Sequence, residues 1–232
     1  MFNQAEHAFQ EVLYPWYFQL CKERHDLVIR ERRTKKAVNN IYKCIYYTIS
    51  SLVGWYVLRD SYVLPPALGG SGSLYRMFTD FPYIQLPRSY KYYFVGTLGF
   101  HLSQLAHLLF VKEKSNDFLE MTLHHLVTIY LYVFSYLSNA IVGLVIALLH
   151  DVSDVFITWT RAWAESEWRR VTAYSFFANL AVWTYTRMVV LPHCAFVGTI
   201  KLEIYAASPY LQPIFGLLLA CLCVLHVYWF YL

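Results

Sequence analysis

The chain has 232 residues, of which 58% are hydrophobic, 19% aromatic and only 15% charged. Soluble domains carry roughly a quarter charged residues, so this balance excludes an ordinary soluble domain and reads as an all-α polytopic membrane protein. A net charge of +4 is too small to suggest a nucleic-acid partner, and none is expected.

Residues 1–37 form a cytosolic, basic and amphipathic N-terminal segment. No basic start followed by an apolar run and a cleavage site is visible there, so no cleaved signal peptide is expected. The basic run Arg30 to Lys36 acts as a stop signal and cytosolic anchor, or attracts an anionic lipid or phosphorylated cofactor to the membrane surface. Residues 38–232 are expected to be one transmembrane domain of six helices, near 41–58, 92–111, 119–138, 140–163, 171–191 and 210–232. Pro65-Pro66 and the Gly/Ser run from Gly69 punctuate the first loop, KEKSND separates spans two and three, and Pro192 and Pro209 bracket the fifth loop. Counted on alternating sides, Lys and Arg number thirteen on the side of the N-terminus and six on the other, which places both termini in the cytosol. Five cysteines without a CxxC repeat predict no disulfide framework. The excess of aromatic residues suits helix contacts or a tunnel for an elongated apolar ligand.

Span three contains His124-His125, and span four contains His150, Asp151 and Asp154. A charge at the bilayer centre costs at least ~2.5 kcal/mol on insertion scales, so such residues face a polar interior. With the N-terminus cytosolic, His124 and His125 lie roughly 8 to 9 Å inside, Asp154 about 14 Å and Asp151 about 18 Å, all in the cytosolic half. Asp151 and Asp154 share a helix face, with His150 beside Asp154; Thr128, Leu131 and Ser135 continue the stripe of His124. Span two adds His101, Ser103, Gln104 and His107, and span five adds Asn179, Thr186 and Arg187. Individually, His101, His107 and His150 have a plain reading as helix-packing residues. Asn139 reads as a cap, Arg187 as a snorkelling or ion-paired cation or an anion-binding group, and His226 as packing. The doublet with two carboxylates allows three chemistries: a metal site, binding without chemistry, or acyl transfer in which an imidazole attacks a carbonyl or deprotonates an amine.

The segments HHLVTIYLYVFSYLSN and GLVIALLHDVSDVF closely resemble the Lag1 motif of ceramide synthases, a branch of the TLC (TRAM, LAG1 and CLN8) domain family. The stretches YKYYFVGTLGFHLSQLAHLLF, NDFLEMTLHH, TRMVVLP and LHVYWFYL resemble the flanking parts of the family, so that the likeness covers roughly residues 33–232. The ordered combination of HHxxT, SxxxN and HDxxD is its most specific part. The resemblance implies a six-helix TLC bundle or barrel enclosing a polar site and an apolar tunnel. It implies an enzyme of the endoplasmic reticulum membrane that joins a fatty acyl-CoA to a sphingoid long-chain base, giving ceramide or dihydroceramide.

On that resemblance His124, His125, Asp151 and Asp154 are the catalytic set. Thr128, Ser135, His150, Arg187, Gln104 and His107 are expected to contact substrate, with acyl-CoA as co-substrate and no further cofactor or metal. Membrane lipids, a second copy or an accessory subunit are expected partners. The chain departs from the family at Val142, where Arg is usual, at Thr158, commonly acidic, and at Arg161, often Lys. An earlier helix and an acidic C-terminal tail found in many members have no counterpart in the sequence, which fits a minimal protein or a fragment. The loop from Pro192 to Pro209 is expected to influence acyl-chain length. Rival readings are a non-enzymatic lipid-binding, cargo or translocon factor and a metal-dependent membrane amidase.

Overall fold

The computed structural model describes residues 2–76, 85–110, 117–194 and 211–231. Seven α-helices account for most of them: α1 Phe2–Leu20, α2 Leu27–Leu58, α3 Arg88–Phe110, α4 Phe118–Leu137, α5 Val142–Trp163, α6 Arg169–Trp183 and α7 Leu211–Tyr231. A π-helical segment, Thr184–Val190, continues α6. Each of the six segments expected to span a membrane carries a helix, in α2, α3, α4, α5, α6 with its π extension, and α7. Among the described residues, two helices are long and apolar enough to cross a bilayer, Val142–Trp163 and Pro213–Tyr231. The expected chain-length loop lies, from residue 195 onward, outside the described residues, as do Lys112, Lys114 and Lys201.

The chain divides into two compact units, Met1–Ser51 with His150–Thr186, and Leu52–Leu149 with Arg187–Leu232. In the first, Phe9, Leu13 and Tyr17 recur every fourth residue along α1 and pack on Ala37, Val38 and Ile41 of α2. Burial raises the Tyr17 phenol above its ordinary pKa, and its hydroxyl donates to the Ala162 carbonyl. Asp26 caps α2, its carboxylate accepting the Ile29 amide at 3.1 Å. Just before it, the Glu23 carboxylate accepts the His25 and Asp26 amides, which hold its pKa below the ordinary value. The α1–α2 connection is tied to the α5–α6 connection by backbone bonds from Lys22 to Glu165 at 3.0 Å and from Glu167 to Leu20 at 3.2 Å. Thr160 and Thr172 fasten α6, donating to the carbonyls of Ser175 and Trp163 at 2.9 Å each.

The second unit is built on α4. Along α3 the buried residues Phe94, Thr97, His101, Gln104 and Leu108 follow the helical period, and they meet the buried stripe of α4. Phe94 touches Tyr132 and Tyr136, at ring separations of 6.4 and 6.0 Å, while His101 lies near His125, so the two helices are antiparallel. On another flank α7 also runs antiparallel to α4, with Phe134 against Phe215 and His124 against Trp229. The outer face of α7 leaves Leu217 and Val224 about 70% exposed, an apolar surface suited to hydrocarbon. Between α4 and α5 the chain turns at Asn139, whose φ of 54° lies in the left-handed region. Gly143 follows at a close approach, where the Ser135 side chain and the Phe94 ring occupy the space a Cβ would need.

Candidate active site

Helix α4 carries the histidine pair because its buried stripe is polar at its N-terminal end. His124 and His125 are both more than nine-tenths buried, with ring centroids 5.6 Å apart. Adjacent helical positions point about 100° apart, so the two rings meet different neighbours. His124 faces α7, with Trp229 at 5.3 Å edge-on and His226 at 6.1 Å. His125 faces α3, with His101 at 6.2 Å.

Behind His226 stands Arg187 of the π-helical segment, 2% exposed, its Nη1 2.9 Å from the His226 Nε2. A guanidinium can only donate, so Nε2 accepts and the ring proton of a neutral His226 sits on Nδ1. A permanent positive charge is thereby held one residue away from the His124 ring. A π-helical turn inserts a residue relative to an α-helix and is frequent at functional sites; this one contains Arg187.

Of the other expected substrate contacts, Thr128 is buried one turn along α4 from His124, and Gln104 is buried one turn along α3 from His101, while His107 is half-buried. Ser135 is fully buried against Gly143, farther along the same stripe. His150, Asp151 and Asp154 belong to the first unit. There Asp151 is 1% exposed and accepts a hydrogen bond from the Ser50 hydroxyl of α2 at 2.6 Å. Asp154 is half-buried, and its backbone carbonyl accepts from Thr158, the residue at a commonly acidic family position. His150 is buried, and its carbonyl accepts from Ser153 at 2.9 Å. Among the described residues, no group of three or more His, Cys, Asp or Glu side chains is placed to hold a metal ion.

Four neighbours were not legible as site residues. His101 read as packing, His226 and the Tyr/Trp run that holds Trp229 as packing or interfacial, and Ser50 drew no attention, although the argument that singled out His124 applies equally to His226. A buried imidazole in the most apolar helix of the chain must face the interior, and His226 is 0% exposed.

This all-helical fold, with a histidine pair in one helix and an HDxxD sequence in the next, defines a class. Residues 36–232 match the TLC domain (TRAM_LAG1_CLN8) family, and the chain belongs to it. Within the family its similarity is to ceramide synthases. It is 30% identical to ceramide synthase 4 of Bos taurus over 86% of this chain and 49% of the relative. It is 30% identical to ceramide synthase 3 of Homo sapiens over 87% of this chain and 51% of the relative. The ceramide synthase LOH2 of Arabidopsis thaliana is 31% identical over 85% of this chain and 67% of the relative. The chain thus spans about half the length of the animal relatives.

Proposed function

We propose that the protein is a sphingoid-base N-acyltransferase of the endoplasmic reticulum membrane, a six-span protein working from the cytosolic half of the bilayer. The observation that carries this reading is the buried His124-His125 pair of α4, in a chain similar to ceramide synthases along most of its length. Acyl-CoA is the donor, and no further cofactor is needed. The amine nitrogen of the long-chain base bonds to the acyl carbonyl carbon, the carbon–sulfur bond breaks, and the amine proton ends on the departing thiolate of CoA. Two routes are open to the histidines. One imidazole attacks the thioester first and forms an acyl-imidazole that the amine then opens, or it removes the amine proton as the amine attacks.

On the family resemblance the carboxylates of Asp151 and Asp154 also share in catalysis. Asp151 is suited to such a role by the Ser50 hydroxyl, which fixes one of its oxygens. The CoA nucleotide is polar, so a site in the cytosolic half lets it stay in water while both hydrocarbon chains enter apolar space.

The test is amide formation by the full chain from labelled acyl-CoA and sphinganine. General acid–base catalysis contributes ~10²- to 10⁴-fold, so His124→Ala or His125→Ala is expected to lose about that much turnover while the protein stays folded. Near-parental rates in both single variants would exclude the histidine mechanism. Lipid binding without any amide product would favour a non-enzymatic TLC protein.

A further inference from the structure

Hydroxyl side chains inside a helix ordinarily donate to the carbonyl one turn back. On α4 Thr122 does so, donating to Phe118 at 2.7 Å, as does Ser138 at its C-terminal end, to Phe134 at 2.6 Å. Thr97 on α3 and Thr186 on the π-helical segment keep the same habit, at 2.9 and 2.7 Å. Thr128 and Ser135 break it, since each is buried and neither hydroxyl has a hydrogen-bond partner. Ser135 is accounted for by its contact with Gly143. No such contact explains Thr128.

Thr128 lies on the stripe His125, Thr128, Tyr132, spaced three and four residues apart on one face of α4. His101 of α3 has its ring 6.2 Å from His125 and 5.2 Å from Tyr132, so it lies over the turn that Thr128 occupies. His101 is 4% exposed, and its Nδ1 likewise has no hydrogen-bond partner. Two buried polar atoms without partners thus belong to side chains at the same level of the α3–α4 contact, beside the histidine pair. Each such atom costs ~1–3 kcal/mol, a cost that a ligand carrying its own polar group removes on binding. A hydroxyl suits the pair, because it donates and accepts and so matches a threonine hydroxyl and an imidazole nitrogen whichever tautomer the ring adopts.

We propose that His101 and Thr128 form the subsite for a hydroxyl of the 2-amino-1,3-diol head group of the long-chain base, and so act as specificity residues. This assignment rests on the acyltransferase reading above. A hydroxyl seated between them places the neighbouring amine toward His125, on the same stripe of α4.

The experiment measures kcat/KM of the full chain in membranes with sphinganine and with two analogues, one lacking the C1 hydroxyl and one lacking the C3 hydroxyl. In Thr128→Val the ratio of kcat/KM for sphinganine to that for one of these analogues is expected to fall about tenfold, the loss of one hydrogen bond. The other analogue should keep its ratio, which tells the two hydroxyls apart. Thr128→Ser should restore the parental ratio, and His101→Phe should shift the ratio for the same analogue, an independent reading should the valine variant fail to fold. Unchanged ratios for both analogues in Thr128→Val and His101→Phe, with turnover intact, overturn the subsite and leave the acyltransferase reading standing. Parental protein that forms no amide from any of the three bases overturns that reading and the subsite with it.

Discussion

Asn139 shows how a single side chain fixes the exit from the helix that bears the histidine pair. Its amide donates to the Tyr136 carbonyl at 3.3 Å, and the next amide, of Ala140, donates to the Ser135 carbonyl at 2.8 Å. With φ at 54° this is a Schellman ending, a cap at the C-terminus of α4. A left-handed conformation costs residues other than Gly, Asn and Asp ~1–2 kcal/mol. Asn139→Ala is therefore expected to lower stability by about 1 kcal/mol in thermal unfolding of the detergent-solubilised protein, whereas Asn139→Gly should match or exceed the parent. Equal losses in both would mean that the amide side chain, rather than the backbone conformation, is what matters. The cap reading of Asn139 was available from sequence because Asn next to an apolar run is a turn signal. The opposite end of the helix it would serve was not, since capping at either terminus uses the same residue.

Gly143, in the first turn of α5, lies tight against Ser135 of α4. A Cβ there would collide with the Oγ and Cβ of Ser135, while the Phe94 ring stands 3.2 Å away. In an unobstructed helix, Gly→Ala stabilises by up to ~1 kcal/mol through propensity, so the sign of the effect reports the packing. Gly143→Ala is expected to destabilise by ~1–3 kcal/mol, and by distinctly less in a Ser135→Gly background. Equal effects in the two backgrounds would place the obstruction elsewhere. The same contact bears on Val142, the neighbour at a family arginine position, which is 1% exposed. An arginine there would have to be accommodated next to this close approach.

Helices such as α4 and α5 were legible because their apolar runs are long and set off by the polar KEKSND stretch and by Asn139, and the histidine doublet was legible because imidazoles are costly in such runs. What periodicity does not carry is which helices adjoin. Hence His101 and His226 read singly as packing residues, although one borders His125 and the other joins Arg187 to His124. The π-helical turn at Thr184–Val190 was illegible for a different reason. A one-residue shift in register leaves the hydrophobic pattern almost unaltered, although Arg187 lies within it.

Charge, and contacts that are independent of it, bear together on the topology expected for the whole chain. Charge counting places residues 1–37 and the connection after span four on one side of the membrane, and calls that side cytosolic. Separately, the backbone bonds of Lys22 and Glu167 across to Glu165 and Leu20 bring these two stretches together. Around them Glu165 receives Lys36 at 3.2 Å and Arg33 at 3.8 Å, and Arg24 pairs with Glu167 at 2.7 Å. Such exposed pairs contribute ~0–1 kcal/mol each, so the backbone bonds and buried Tyr17 hold the junction. Arg24→Cys and Glu167→Cys should accordingly be stable, and both are expected to react with a membrane-impermeant maleimide in sealed microsomes whose outer face is cytosolic. Tyr75→Cys, in the exposed loop after α2, should react only once the membrane is permeabilised. Reaction of only one of the first two would contradict the junction itself. Reaction of both only after permeabilisation would keep the junction and invert the orientation, carrying the N-terminal end of α4 to the lumen. His124 and His125 lie within two turns of that end, so an inverted chain would present them to a compartment on the far side from cytosolic acyl-CoA, and the proposed donor would lose its route to the site.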